Sequence, residues 1–121
     1  ICLDKSGFIC EGVAENLFIV KNEKILTPPS STGALPGITA QETVKLARKL
    51  GYEAAETNIT PYDLFNANEV FFTGTAAEIV PVREINKRQI NSGKPGTVTK
   101  RLMEAFSKLV VDPKEGVVVY K

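Results

Sequence analysis

The segment ALPGITAQETVKLARKLG, residues 34–51, sets a helix into a chain that otherwise begins as short strands. Thr39 and Glu42 make a T-x-x-E capping box, in which each side chain satisfies a backbone N–H that the first helical turn leaves open. Ile38, Val44, Ala47 and Leu50 approximate one apolar face, while Lys45, Arg48 and Lys49 fall on the solvated remainder or near the negative end of the helix dipole. Gly51 supplies the stop. The spacing predicts a helix that starts at Thr39 and ends before Gly51.

Upstream, β-branched and aromatic residues alternate with polar ones in short runs: Ile1 to Asp4, Phe8 to Glu11, Leu17 to Lys21 and Ile25 to Thr27, the last two around an Asn22-Glu23 turn. With Lys5-Ser6-Gly7 as a three-residue hairpin loop and Gly7 left-handed, Asp4 stands opposite Phe8 and Cys2 opposite Cys10. Two cysteines are too few for a disulfide framework, so they are expected as reduced thiols packed like small hydrophobes. Pro28 to Gly33 is a loop by composition, and it delivers the chain to Gly37.

Downstream, Glu53 to Thr57 reads as a strand, and Thr60-Pro61 opens a short helix with threonine at the cap and proline at the first position. Glu69 to Thr73 is a short buried strand that ends in the small-residue turn Gly74-Thr75-Ala76-Ala77. Ile79 to Ile85 resumes as a strand, and Asn86 to Gly96 is a polar connection. Thr97 starts a second long helix, on which Val98, Leu102, Ala105 and Leu109 keep helical spacing. Val117 to Tyr120 is a last strand or a tail. Strands with interspersed helices give a mixed α/β or α+β class, with the crossovers left open.

The 121 residues suffice for one domain with one modest core. Fifteen Lys and Arg against 14 Asp and Glu leave a net charge of +1, which argues against a dedicated polyanion binder, so no nucleic-acid partner is expected. No apolar run approaches the roughly 18 residues that cross a bilayer, and no signal-peptide pattern opens the chain, so a cytoplasmic protein with no membrane partner is expected. The chain starts without Met, inside the apolar Ile1-Cys2-Leu3, and reads as a piece of a longer polypeptide. Histidine is absent, which removes His-based triads and imidazole metal sites together. With no second acidic cluster either, no metal is expected.

Three places can carry chemistry. The helix start around Gly37, Ile38 and Thr39 offers unpaired N–H groups with partial positive charge, a seat for phosphate or carboxylate that needs no basic side chain. Gly74-Thr75-Ala76-Ala77 lets successive amides approach a second anion closely. Glu11, four residues before Glu15 and next to small residues, can act as an acid or as the partner of a ligand cation. Each has a plain structural alternative: a capped helix end, a tight turn, a solvated carboxylate.

Taken in order, Glu11 to Phe18, Leu26-Thr27-Pro28, Ala34 to Thr39 and Phe72 to Arg83 resemble the fold-type IV pyridoxal-phosphate aminotransferases, most closely the branched-chain amino-acid aminotransferases. The resemblance spans nearly the whole chain and implies the larger, C-terminal, cofactor-binding domain of the D-amino-acid aminotransferase-like fold, with residues 1–121 as a single domain. By resemblance, the cofactor is pyridoxal 5′-phosphate, Glu11 pairs with its protonated ring nitrogen, and Leu35 supports the ring face. Gly37, Ile38 and Thr39 hold the phosphate, which Thr75 also reaches. The amides of Thr75 and Ala76 receive the substrate carboxylate.

Val13 stands where the family generally has a smaller residue, and Ala40 where a basic one is common. The family's cofactor-bonding lysine lies well upstream of the Glu11 position. Only ten residues precede Glu11 here, so that lysine is expected outside this sequence and the chain alone is expected to be inactive. The resemblance further implies amino transfer between leucine, isoleucine or valine and 2-oxoglutarate in a homo-oligomeric parent. Alternatives are a D-amino-acid aminotransferase, an aminodeoxychorismate lyase, or a binding domain that kept the fold without the chemistry.

Overall fold

The computed structural model describes residues 1–12, 15–34, 37–74 and 78–110; the segment Val117 to Tyr120 lies outside them. The strands and α-helices are β1 (Asn16–Lys21), β2 (Lys24–Thr27), α1 (Ile38–Lys49), β3 (Glu53–Glu56), α2 (Pro61–Phe65), β4 (Glu69–Gly74), β5 (Glu78–Pro81), β6 (Glu84–Ile85), β7 (Arg88–Gln89) and α3 (Thr97–Val110), with a 3-10 turn at Ser30–Thr32. The class is mixed α/β. Five strands form one sheet in the order β3-β2-β1-β4-β5, and β6 and β7 form a separate hairpin. Within the five-stranded sheet β2 and β3 run parallel, joined by the α1 crossover; the β1/β2, β1/β4 and β4/β5 pairs are antiparallel.

Alternation along the strands divides the core into two layers. Phe18, Val20, Ile25 and Phe71 face α1 and α3, meeting Leu46, Ala47, Val98, Leu102 and Phe106. Phe18 and Phe71 stack there across the β1/β4 pair, ring centroids 5.0 Å apart. Leu17, Ile19 and Val70 face the other way, onto Ile9, Ile59, Leu64, Ala67 and Ile90. Both sides of the sheet are thus covered, and function is confined to its ends and edges.

Three expectations change. The helix begins at Ile38 with Gly37 as its N-cap and no side-chain cap among the described residues, so the Thr39–Glu42 capping box does not form. Thr39 is already inside the first turn, where its carbonyl accepts the Thr43 hydroxyl at 2.7 Å, and Glu42 pairs with Lys45 at 3.3 Å. Ile38 is 78% exposed instead of belonging to the apolar face, because at about 100° per residue it lies on the side of α1 opposite buried Ala47. Finally, Ile79 to Ile85 is not one strand: β5 stops at Pro81, and the chain turns into the β6/β7 hairpin through Asn86 and Lys87, both at positive φ. That hairpin occupies part of the predicted polar connection.

The N-terminal hairpin has the expected register. Gly7 is left-handed at φ 88°, Asp4 N–H donates to Phe8 O, and Cys10 N–H donates to Cys2 O. Leu3 and Ile9 pair as an isolated bridge, shorter than the two strands expected. Both cysteines are free, Cys2 exposed and Cys10 buried.

At α2 the predicted cap is present and reciprocal: Thr60 Oγ1 accepts from Asp63 N–H, and Asp63 Oδ2 accepts from Thr60 N–H, each at 3.0 Å. The bond from the Thr60 backbone, aided by the Thr60 hydroxyl and Lys21 against a small desolvation, holds the Asp63 carboxyl below the usual carboxylate range. A group depressed in the folded state stabilises fully above its unfolded pKa, and the contribution fades as pH falls through the folded value. Amide protection at Thr60 is therefore expected to decline below about pH 4. Asp63→Asn should abolish that acid dependence in a hydrogen-exchange series; an unchanged profile would assign it to another group.

Candidate functional site

β1 begins at Asn16 and β5 at Glu78, while β2, β3 and β4 end at Thr27, Glu56 and Gly74; the pairing register sets all five at one end of the sheet. α1 starts beside this end. Its first helical N–H groups have no partner within the helix by geometry. Among the described residues no side chain caps them and no acidic residue stands in the first turn, so the local field of the helix start is not neutralised there. Gly37 lies close to Asn16, since a Cβ at that position would run into Asn16 Oδ1 and force the carboxamide to shift. The start of β1 and the start of α1 thus meet at Gly37.

Glu11 stands at a break in the pairing of the N-terminal hairpin. Cys2 O accepts from Cys10 N–H while Cys2 N–H donates to Glu11 O, each at 2.8 Å, so two residues face one. That is a β-bulge, a device that bends a strand and re-aims the side chain at the extra position. Two contacts fix the segment on either side of it. The Cys10 thiol donates to Thr32 O at 2.8 Å, in the turn that leads to α1. Gly12 lies against Phe72 of β4, where an added Cβ would stand 2.9 Å from the ring. Glu11 itself is half-buried.

The structure sets Gly37, Ile38 and Thr39 at one end of the sheet, where β1 begins and β4 ends, and sets Glu11 next to Gly12, which packs on Phe72 of β4. Leu35, Thr75 and Ala76 lie outside the described residues, as does Val13. Sequence reasoning assigned no role to Asn16 or Thr73. Asn16 stood within the quoted Glu11 to Phe18 block, but its contact with Gly37 crosses twenty residues. Thr73 read simply as the end of a buried strand.

A cavity of about 110 Å³ lies behind the helix start, lined by Asn16, Thr27, Ser30, Gly37 and Glu56 among others. It has room for a few waters and is well below the 300 Å³ or more typical of organic-ligand pockets. These residues therefore form a wall for a ligand, not an enclosure. A larger open groove of about 470 Å³ lies at the opposite end, around the Asn22-Glu23 turn and Tyr52. There the Lys24 and Glu53 charges pair at 3.7 Å, and none of the predicted site residues lines it.

The family model described as amino-transferase class IV matches residues 1–85. The chain belongs to the class IV aminotransferases. The branched-chain-amino-acid aminotransferase of Escherichia coli K12 is 49% identical over 106 residues, 88% of this chain and 34% of that protein. A protein of Methanocaldococcus jannaschii named as a branched-chain-amino-acid aminotransferase is 48% identical over 118 residues, 98% of this chain and 40% of its own. Among solved structures, a branched-chain amino acid aminotransferase from T.th., complexed with N-(5′-phosphopyridoxyl)-L-glutamate, superposes with a TM-score of 0.89 at 38% identity, over 95% of this chain and 40% of that one. The fold is therefore that of the fold-type IV aminotransferases. This class IV chain spans about a third to two fifths of the length of the relatives it matches.

Proposed function

We propose that the whole protein is a branched-chain amino-acid transaminase, moving an amino group between leucine, isoleucine or valine and 2-oxoglutarate with pyridoxal 5′-phosphate, and that residues 1–121 are its cofactor-binding domain. The carrying observation is the start of α1, with no side-chain cap among the described residues and no acid in its first turn, set at the end of the sheet where β1 begins and β4 ends. A phosphate dianion suits that helix start, because backbone N–H groups and the dipole bind it together. Gly37, Ile38 and Thr39 bind it, with Thr75 as a further contact. Thr75 and Ala76 orient the substrate carboxylate, and Leu35 packs on the ring face. Glu11 holds a proton on the pyridine nitrogen by keeping an anion beside it.

When bound, the cofactor supplies an electron-accepting ring that spreads the charge left at the substrate Cα on proton loss. The branched-chain assignment rests on relatives bearing that name and matching at 38–49% identity. No helix of the described residues is long and apolar enough to cross a membrane. We further assign the protein to the cytoplasm and to a homo-oligomer, with small amino and 2-oxo acids as its other partners.

The test is amino-donor selectivity of the whole protein supplied with pyridoxal phosphate, read as glutamate formed from 2-oxoglutarate. L-leucine, L-isoleucine or L-valine should exceed D-alanine by at least roughly tenfold in kcat/KM. Preference for D-alanine, or pyruvate release from aminodeoxychorismate, would replace the reading with one of those sister activities. Failure to bind the cofactor at all would leave a binding domain only.

A further inference from the structure

Thr73 is fully buried, and its hydroxyl has no hydrogen-bond partner among the described residues. A buried hydroxyl without a partner keeps the desolvation cost and gains nothing for it, whereas an isosteric valine would avoid that cost. In the sheet register Thr73 stands opposite Asn16 on β1 and Ile79 on β5. Opposed residues of antiparallel strands project from the same face. Phe71, two residues before Thr73, identifies that face as the one under α1 and α3. Asn16 on the same face touches Gly37, the N-cap of α1. A short line of neighbours therefore leads from the unsatisfied hydroxyl, through the carboxamide opposite it, to the backbone that presents the first-turn amides.

We propose that Thr73 is a positioning residue: in the ligand-bound state its hydroxyl donates to Asn16 Oδ1, fixing the carboxamide against Gly37 and with it the aim of the α1 amides at a phosphate group. This rests on the reading that the start of α1 takes the cofactor phosphate. An amide oxygen has two lone pairs, so Asn16 Oδ1 can accept this bond in addition to any other it makes. A partner that the hydroxyl gains on binding favours the bound state. A side chain serving the core alone has no such dependence on a ligand.

The experiment uses the whole protein without cofactor and two probes, pyridoxamine 5′-phosphate and pyridoxamine, neither of which has an aldehyde to bond to a lysine. Thr73→Val should leave the melting temperature of the free protein equal or higher, and weaken pyridoxamine 5′-phosphate by roughly five- to thirtyfold. Pyridoxamine, lacking the phosphate, should change by less than about twofold, and Thr73→Ser should restore wild-type affinity for both. Asn16→Ala should weaken the phosphorylated probe similarly, and adding Thr73→Val should then change little.

Equal affinities of wild type and Thr73→Val for the phosphorylated probe overturn the proposal, and so does an equal loss for both probes. If Thr73→Val does not fold, Asn16→Ala alone decides: an unchanged ratio between the two probes sinks the idea. A wild-type protein that does not discriminate pyridoxamine 5′-phosphate from pyridoxamine refutes the phosphate reading itself, a separate failure.

Discussion

Glu69→Ala is expected to cost about 2–4 kcal/mol of stability and to loosen the start of α3. Glu69 is the first residue of β4, yet its carboxylate caps a helix 30 residues downstream. Oε2 accepts from Val98 N–H at 3.2 Å, and Oε1 accepts from Thr99 N–H at 2.7 Å and the Thr99 hydroxyl at 2.6 Å. Thr99 is fully buried, so removing the carboxylate leaves its hydroxyl without this partner as well as opening two backbone donors. The negative charge also stands at the positive end of α3.

Gly96 belongs to the same arrangement, because a Cβ there would overlap the Glu69 carboxyl group. Gly96→Ala should therefore be destabilising in the wild-type background and much less so beside Glu69→Ala, where the obstructed group is absent. Denaturant unfolding of the four proteins of this cycle, with amide exchange at Val98 and Thr99, measures both effects. Additive losses would show that Gly96 and Glu69 act independently.

The elements legible from sequence are those whose signals are local. Gly7 and Gly51 ended their hairpin and helix as expected, at φ 88° and 95°, because each left-handed position is occupied by the residue that tolerates it best. Thr60-Pro61 announced α2 by an equally local signal, a capping hydroxyl followed by proline in the first turn. The Thr39–Glu42 box failed because a four-residue motif does not know its frame: Gly37 is the N-cap, and Thr39 falls within the first turn. The Glu69 cap left no trace near Thr97, since its partner is distant in the chain. Family resemblance supplied the candidate site, while the physical means of assembling it, the bulge at Glu11 and the Asn16–Gly37 contact, needed coordinates. The hidden parts are all contacts between residues far apart in sequence.

Glu11→Ala in the whole protein is expected to lower kcat by about 10²–10⁴-fold while KM moves by only a few fold. The carboxylate acts on charge that develops in the ring as the substrate proton leaves, so its removal weakens the transition state far more than the ground state. The backbone geometry favours a clean experiment. Glu11 is held by its carbonyl to Cys2, by Cys10 to Thr32 and by Gly12 against Phe72, and none of these contacts uses the Glu11 side chain. Glu11→Gln, similar in size but without charge, should lose nearly as much, whereas Glu11→Asp should recover part of the rate. Steady-state kinetics with α-deuterated leucine provides the check: the isotope effect should rise in Glu11→Ala as proton removal becomes fully limiting. A variant in which kcat holds while KM climbs, or in which glutamine restores the rate, would reassign Glu11 from charge stabilisation to substrate binding or to shape.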